Sequence, residues 1–122
     1  MQPRVVICDD TPDMLDLLRM VLHYGGFAVV GEATTGAGAL ERWEQARADG
    51  DVAGVILDHR LPDIPGLEIA RQIRQKAPLL TLVLVSAYLT DATRAAAEAI
   101  GVQCVDKTAI ASIPRLLKDP TG

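Results

Sequence analysis

Residues 5–10 read VVICDD, a short apolar run that ends on two aspartates. The arrangement recurs at residues 52–58, VAGVILD, where another apolar run ends on Asp58. Short continuous apolar runs are typical of strands that are buried on both faces of a parallel sheet. Because the carboxyl ends of parallel strands meet at one edge of a sheet, the two runs predict a cluster of carboxylates at that edge.

The rest of the chain repeats the same alternation of apolar runs and helical segments. This alternation predicts an α/β fold, a single (βα)5 doubly wound domain over residues 1–122. We expect a five-stranded parallel sheet in the order 2-1-3-4-5, with helices on both faces. The predicted strands lie within residues 5–8, 27–30, 52–57, 79–85 and 102–105.

Helical spacing is clearest in the first segment between strands, where Pro12 stands near the start and Gly25 follows the end. The last helical segment, residues 110–118, is short, and Pro114 is tolerated there only in a first helical turn. The apolar stripe of the first helix comprises Met14, Leu17, Leu18, Val21 and Leu22.

Composition narrows the class of protein. Hydrophobic residues make up 49% of the chain but aromatic residues only 3%, so the core must be aliphatic. The net charge of −4 argues against direct nucleic-acid binding. No apolar stretch of about 18 residues predicts a membrane span, and no secretory signal is evident, so we expect a cytoplasmic location. Cys8 and Cys104 lie inside apolar runs and are expected to be buried thiols. Residues 119–122 read as a frayed end or as the start of a connection.

Polar residues follow four of the predicted strands. Asp9 and Asp10 follow the first, Asp58 the third, Ser86 the fourth and Lys107 the fifth. Three clustered carboxylates repel one another unless a cation lies among them, and oxygen ligands suit Mg²⁺. A hydroxyl and an ammonium group beside the ion would complete a place for a phosphoryl group.

These residues resemble those of the bacterial two-component receiver family, the response-regulator domains, along essentially the whole chain. The matching stretches are residues 5–10, residues 57–66 (LDHRLPDIPG), residues 85–87 (VSA) and Lys107. The resemblance implies that Asp58 accepts a phosphoryl group from a phosphohistidine of a sensor histidine kinase or a phosphotransfer protein. The chain would then catalyse only its own phosphoryl transfer and dephosphorylation and would not be an enzyme for other substrates.

The resemblance also implies roles for the neighbouring residues. Asp10, Asp58 and the backbone carbonyl of Arg60 would bind Mg²⁺, and Asp9 would act through a bound water. Lys107 would pair with the phosphoryl oxygens, and Ser86 would move to hydrogen-bond the phosphoryl group.

Movement of Ser86 would bias the fourth strand, the following helix and the fifth strand, and so control an output domain or a downstream protein. A homodimer linked to phosphorylation is a further expectation. No output domain is recognisable in residues 1–122.

The sequence departs from the family pattern at three places. Cys104 stands where relatives usually have an aromatic residue that relays the switch, with Tyr88 as a partial substitute. Thr108 follows Lys107 where many relatives have proline, so we expect a different loop. Arg60 lies two residues after Asp58, and we expect Arg60 and Tyr88 together to slow hydrolysis of an aspartyl phosphate.

Alternative interpretations remain for the acidic residues. Asp9 and Asp10 could cap the first helix. A phosphatase with an aspartate nucleophile would need a second acidic residue where Arg60 stands, and a flavin- or nucleotide-binding module would need a loop without Asp9 and Asp10. A receiver-like interaction domain that works without phosphorylation is the strongest alternative. We expect His23 and His59 to be surface or loop residues, Asp63 a turn residue and Trp43 a packing residue.

Overall fold

The computed structural model describes residues 2–119, in which five strands alternate with five α-helices. The expectation for the end of the chain concerns residues 119–122, of which 120–122 lie outside the described residues. The strands are β1 (Arg4–Cys8), β2 (Ala28–Ala33), β3 (Gly54–Asp58), β4 (Thr81–Ser86) and β5 (Val102–Asp106). The helices are α1 (Pro12–Tyr24), α2 (Gly36–Asp49), α3 (Gly66–Lys76), α4 (Asp91–Ala99) and α5 (Ile113–Lys118), and a 3-10 helix (Lys107–Ser112) precedes α5.

The sheet is parallel throughout and has the order β2-β1-β3-β4-β5, which confirms the predicted fold. β1 lies between β2 and β3. β2 therefore pairs with one side of β1, and β3, β4 and β5 follow in order on the other side. The crevice of such a sheet opens at the carboxyl ends of the two strands where the order reverses, here β1 and β3.

Each predicted strand shifts by about one to three residues at one end or both, and the shifts are largest at β2, β3 and β4. β2 continues to Ala33 through Gly31 and Glu32, because an edge strand is only half-covered and tolerates polar residues. The sequence predicts that Leu79 belongs to the fourth strand. In the structure β4 begins at Thr81, and the Leu79 side chain is 97% exposed in the preceding loop. In the sequence, an apolar residue in that loop cannot be distinguished from the first residue of a buried strand.

The core has two layers, one on each face of the sheet. Alternate residues of the central strands face opposite layers, which explains why these strands are apolar without interruption. Trp43 of α2 is buried in one layer, as expected for a packing residue. Cys8 is buried as predicted, whereas Cys104 is only half-buried, which corrects the expectation for that thiol. The strand residues of the first layer include Val6, Cys8, Val55, Leu57, Leu82 and Leu84, and those of the second include Val5, Ile7, Ile56, Val83 and Val85.

The first helix begins and ends where the sequence predicts. Pro12 occupies its first turn, and Gly26, with φ of 89°, lies just past its end in a backbone conformation that favours glycine. The predicted stripe is partly wrong, because Leu17 is 42% exposed and Leu15 is buried instead. Both residues fit a helical spacing, and only packing against the sheet decides between them.

The segment after β5 differs from the predicted single helix. The 3-10 helix begins at Lys107, and the Asp106 carboxylate accepts hydrogen bonds from the Thr108 backbone nitrogen (2.8 Å) and hydroxyl (2.7 Å). A proline at position 108 could donate neither bond, so this form of the loop depends on Thr108. No cis peptide bond occurs in the described residues. Pro114 lies in the first turn of α5, as predicted.

Among residues 2–119, no helix combines the length and the apolar character that crossing a bilayer requires.

Arg74, near the end of α3, joins three segments at the edge of the sheet opposite the crevice. Burial lowers the pKa of its guanidinium, and it is surrounded by backbone carbonyls rather than carboxylates. The fork of donors on an arginine suits such a set of acceptors better than an ammonium group does. Its five acceptors are the carbonyl oxygens of Ala77, Pro78, Leu80, Ile100 and Gly101.

We predict that Arg74→Ala lowers the free energy of unfolding by about 2–3 kcal/mol, because several carbonyls lose a charged donor. Arg74→Lys should recover only part of this loss. Arg71→Ala is the matched control on the same helix, since Arg71 makes a surface ion pair with Glu68 worth less than about 1 kcal/mol. Urea denaturation measures all three. Equal losses in Arg74→Ala and Arg71→Ala would contradict the prediction.

Candidate functional site

Three carboxylates meet at the carboxyl ends of β1 and β3. One oxygen of each of Asp9, Asp10 and Asp58 lies within 4.8 Å of the others. Asp9 and Asp58 are buried, and Asp10 is exposed. The structure therefore brings together the three acidic residues that the sequence singled out, with one of them open to solvent.

The helix-cap interpretation of the aspartate pair holds only in part. Oδ1 of Asp9 accepts a hydrogen bond from the backbone nitrogen of Thr11 (2.9 Å), the residue before α1. Oδ2 of Asp9 is buried and has no hydrogen-bond partner. Asp10 accepts only a long bond from the Thr11 hydroxyl, at 3.4 Å. Capping thus accounts for one of the two oxygens of Asp9 and leaves the other directed at the cluster.

Lys107 is the cation of this site. Its Nζ lies 3.6 Å from Oδ2 of Asp58 and 3.7 Å from Oδ2 of Asp9. Both distances exceed ordinary hydrogen-bond lengths, and Oδ2 of Asp58, like that of Asp9, is buried without a hydrogen-bond partner. One ammonium group facing three carboxylates leaves the cluster with excess negative charge.

The pKa of Asp58 rises from 3.8 to about 6. Burial is the largest cause and the charge of Asp9 the next, while Lys107 and a hydrogen bond from the Arg60 backbone act in the opposite direction. Burial and the same carboxylates raise the pKa of the Cys8 thiol to about 12. Oxygen donors with unpaired lone pairs and excess negative charge fit a hard divalent cation such as Mg²⁺.

The loop after β3 folds back closely over Asp58. The Arg60 nitrogen donates to Oδ1 of Asp58 at 3.3 Å, and the Gly66 nitrogen donates to the His59 carbonyl at 2.8 Å. A Cβ on Gly66 would overlap the carbonyl oxygen of Asp58, so this position needs glycine for close approach of the backbone. The Arg60 side chain is exposed.

Ser86 is buried at the end of β4, beside the end of β3. Its Oγ donates to the Tyr88 carbonyl (3.0 Å) and accepts from the Tyr88 nitrogen (3.1 Å), so the hydroxyl is held within its own turn. The Tyr88 side chain is 71% exposed. Arg60 and Tyr88 line the same open groove of about 370 Å³, together with His59 and Thr93.

The structure assigns more to two residues than the sequence did. Asp63, expected in a turn, also accepts hydrogen bonds from the first two residues of α2, which lie 27 and 26 residues away. His59 is a loop residue as expected, but its Nδ1 is buried without a partner. No local signal could have indicated these features, because they depend on the packing of the β3–α3 loop against other elements.

Cys104 lies on β5, three residues before Lys107, and its thiol is half-buried. Burial raises its pKa, so the thiol is neutral near pH 7. It borders a groove of about 250 Å³ together with Arg94, Glu98 and Val102.

The sequence matches a known family over nearly the whole chain. A family model described as response regulator receiver domain matches residues 5–116. The chemotaxis protein CheY of Thermotoga maritima is 30% identical over 87 residues, which cover 71% of this chain and 69% of that protein.

A protein-glutamate methylesterase/protein-glutamine glutaminase of Hahella chejuensis is 36% identical over 92 residues, which cover 75% of this chain and 25% of the relative. The transcriptional regulatory protein TrcR of Mycobacterium tuberculosis is 38% identical over 72 residues, 59% of this chain and 26% of the relative. The chain thus spans about a quarter of the length of these two relatives.

Solved structures share the fold. A CheY-like receiver domain protein from Methanospirillum hungatei has a TM-score of 0.85 at 20% identity, covering 98% of this chain and 94% of that one. CheY in a CheX-CheY-BeF3-Mg complex from Borrelia burgdorferi has a TM-score of 0.82 at 18% identity, with 98% and 90% covered.

The raised pKa of Asp58 gives a prediction about stability in EDTA. Between about pH 4 and pH 6 the folded protein binds the Asp58 proton more tightly than the unfolded chain does, so the free energy of unfolding falls as pH rises. Asp58→Asn has no carboxyl group to ionise, so its free energy of unfolding does not fall in this way. We expect the variant to be about 1–2 kcal/mol more stable than the wild type at pH 8, and the difference to vanish below about pH 4.

Urea denaturation across this pH range measures the effect. Asp106→Asn is the control of opposite sign, because hydrogen bonds from Thr108 lower the pKa of Asp106. That variant should be less stable than the wild type above pH 4, and the deficit should shrink as pH falls. If the wild type were as stable as Asp58→Asn at pH 8, ionisation of the Asp58 carboxyl group would not destabilise the folded protein, and the prediction would be wrong.

Proposed function

Because this chain belongs to the response regulator receiver domain family of two-component systems, we propose that it is a phosphoacceptor switch in which Asp58 receives the phosphoryl group. The observation that carries the proposal is Oδ2 of Asp58. It is buried, lacks a hydrogen-bond partner, lies 3.6 Å from the Lys107 ammonium and belongs to a cluster of three carboxylates. An oxygen held in this way is available to bond to an incoming group.

The proposed reaction is covalent catalysis by a carboxylate nucleophile. An oxygen of Asp58 attacks the phosphorus of a phosphohistidine, and an O–P bond forms as the P–N bond breaks. The electron pair of the P–N bond stays on the imidazole nitrogen. The phosphoryl group is removed by hydrolysis. Water attacks the same phosphorus, the O–P bond to Asp58 breaks, and inorganic phosphate leaves with the Asp58 carboxylate restored.

Mg²⁺ fits the carboxylate cluster, and we assign it to Asp10, Asp58 and the Arg60 backbone carbonyl, with Asp9 acting through water. The ion supplies positive charge against the negative charge of the transferring phosphoryl oxygens. Asp9 and Lys107 are already fixed by the ends of β1 and β5, so both can act without a large rearrangement.

Lys107 and Ser86 would recognise the phosphorylated state. The Lys107 ammonium, now shared between two carboxylates, would pair with phosphoryl oxygens. Ser86 would give up its bond to the Tyr88 carbonyl and donate to the phosphoryl group instead. α4 can respond at small cost, because Ala97 is the residue of this helix that is buried in the core. With Cys104 on β5, the relay would depend on this helix rather than on an aromatic side chain.

The proposed partners are a sensor histidine kinase or phosphotransfer protein as donor, met in the cytoplasm, and an output domain or downstream protein as receiver of the signal. The relatives include chemotaxis proteins, transcriptional regulators and a methylesterase, so the family serves several outputs. Phosphorylation-linked homodimerisation is part of the proposal, and direct binding of nucleic acid or membrane by this domain is not.

We predict that acetyl phosphate and Mg²⁺ increase the intact mass of the protein by one phosphoryl group. The gain should vanish in EDTA and in Asp58→Ala, because the acceptor oxygen or the charge compensation is then missing. Asp13→Ala is the matched control, since Asp13 is an exposed carboxylate in the first turn of α1. No gain in the wild type, under conditions that label another receiver, would favour the interaction domain that works without phosphorylation.

We also predict that Arg60 and Tyr88 shield the aspartyl phosphate from water, because both line the groove that His59, the residue after Asp58, also lines. The Arg60→Ala, Tyr88→Ala double variant should lose its phosphoryl group several-fold faster than the wild type. Release of inorganic phosphate after removal of the donor measures the half-life. The control replaces an exposed tyrosine and arginine elsewhere, Tyr24→Ala with Arg115→Ala. A wild-type half-life no longer than that of the Arg60, Tyr88 variant would refute the shielding role.

A further inference from the structure

The Asp63 carboxylate forms a bridge between the loop after β3 and the start of α2. Its Oδ1 accepts hydrogen bonds from the nitrogens of Gly36 (2.7 Å) and Ile64 (2.9 Å), and its Oδ2 accepts one from Ala37 (2.9 Å). Gly36 and Ala37 open α2, where free amides and the helix dipole favour an anion. These bonds lower the pKa of Asp63, so it is charged near neutral pH.

The anchor at the other end of this bridge is firm. α2 has 14 residues, and Ala39, Trp43 and Ala46 bury its inner face in the core. The start of this helix therefore has a position that the loop does not determine. A loop that is hydrogen-bonded to the start of α2 is therefore held in place by that helix.

The loop needs such an anchor near its middle. Its beginning is fixed by the bond from the His59 nitrogen to the Val85 carbonyl, and its end by Gly66 packed against Asp58. Between them, the bond from the Arg60 nitrogen to Asp58 is long, at 3.3 Å, and the Arg60 side chain is exposed. The backbone at Arg60 is thus weakly held by its own contacts.

We infer that Asp63 is a positioning residue for the phosphoacceptor site, because its bridge to α2 holds the backbone of Arg60 against Asp58. The inference rests on the proposed function, in which the Arg60 carbonyl binds Mg²⁺. Asp63 itself touches neither the ion nor the phosphoryl group. It acts by fixing the loop, much as residues behind a metal ligand fix the orientation of that ligand.

A purely structural role for Asp63, as a cap of α2, is the alternative. Thr35 separates the two roles, because its Oγ1 accepts a hydrogen bond from the Gly38 nitrogen (3.0 Å) in the same helical turn. The Thr35 side chain caps the helix without a bond to the β3–α3 loop. Thr35→Ala is therefore the matched control, and both Thr35→Ala and Asp63→Ala should lower the melting temperature.

The first readout is Mg²⁺ affinity, measured by NMR titration of the folded proteins. We expect Asp63→Ala to bind Mg²⁺ about 10-fold more weakly than the wild type, and Thr35→Ala to stay within about 2-fold. If Asp63→Ala does not fold, Asp63→Asn keeps one carbonyl acceptor and should still bind Mg²⁺ more weakly than Thr35→Ala. Equal affinities in the Asp63 and Thr35 variants would overturn the inference.

The second readout excludes a simple effect of the lost charge. In EDTA, the solvent-exchange rate of the Arg60 amide should rise in Asp63→Ala and stay at the wild-type value in Thr35→Ala. Weaker Mg²⁺ binding with unchanged exchange at Arg60 would mean that Asp63 acts through its charge alone, which also overturns the inference. Failure of the wild type to bind Mg²⁺ or to be labelled on Asp58 would instead refute the proposed function, and the exchange rates would still test the bridge.

Discussion

The excess of buried negative charge at the ends of β1 and β3 is the constraint on which the rest of this structure depends. Carboxylates with unpaired oxygens are unfavourable in a protein interior, and Lys107 offsets only part of the repulsion. The site is consequently less stable by itself than a neutral arrangement would be. A divalent cation among these oxygens would offset the repulsion, so the cluster favours cation binding.

The aliphatic core makes this arrangement sustainable. The central strands bury apolar residues on both faces, so each strand end is fixed by packing that does not involve the acidic residues themselves. The backbone positions of Asp9 and Asp58 are thereby set by the ends of β1 and β3. Rigid strands thus hold like charges at short range, whereas the Ser86 hydroxyl is held by bonds within its own turn, to the backbone of Tyr88.

Sequence alone predicted the fold, the strand order and the meeting of Asp9, Asp10, Asp58 and Lys107, because continuous apolar runs and the topology of a parallel sheet determine them. Their roles in phosphoryl transfer stay predictions.

Other features escaped prediction for physical reasons. Leu17 and Leu15 fit the same helix, and only docking to the sheet selects the buried one. Arg74 and Asp63 form hydrogen bonds with backbone groups. Because residues of any type carry such groups, the pattern of side chains in the sequence does not indicate these partners.

The carbonyl cluster around Arg74 shows that the molecule is polarised along its strands. In a parallel α/β fold each helix runs opposite to its neighbouring strand, so the positive helix ends lie at the carboxylate edge and the negative ends at the other. Arg74 sits at that other edge, where its guanidinium binds the carbonyls that end α3 and α4. The protein therefore places three acidic residues where helices begin and Arg74 where two helices end, so these charges lie at helix ends whose partial charge is opposite to their own.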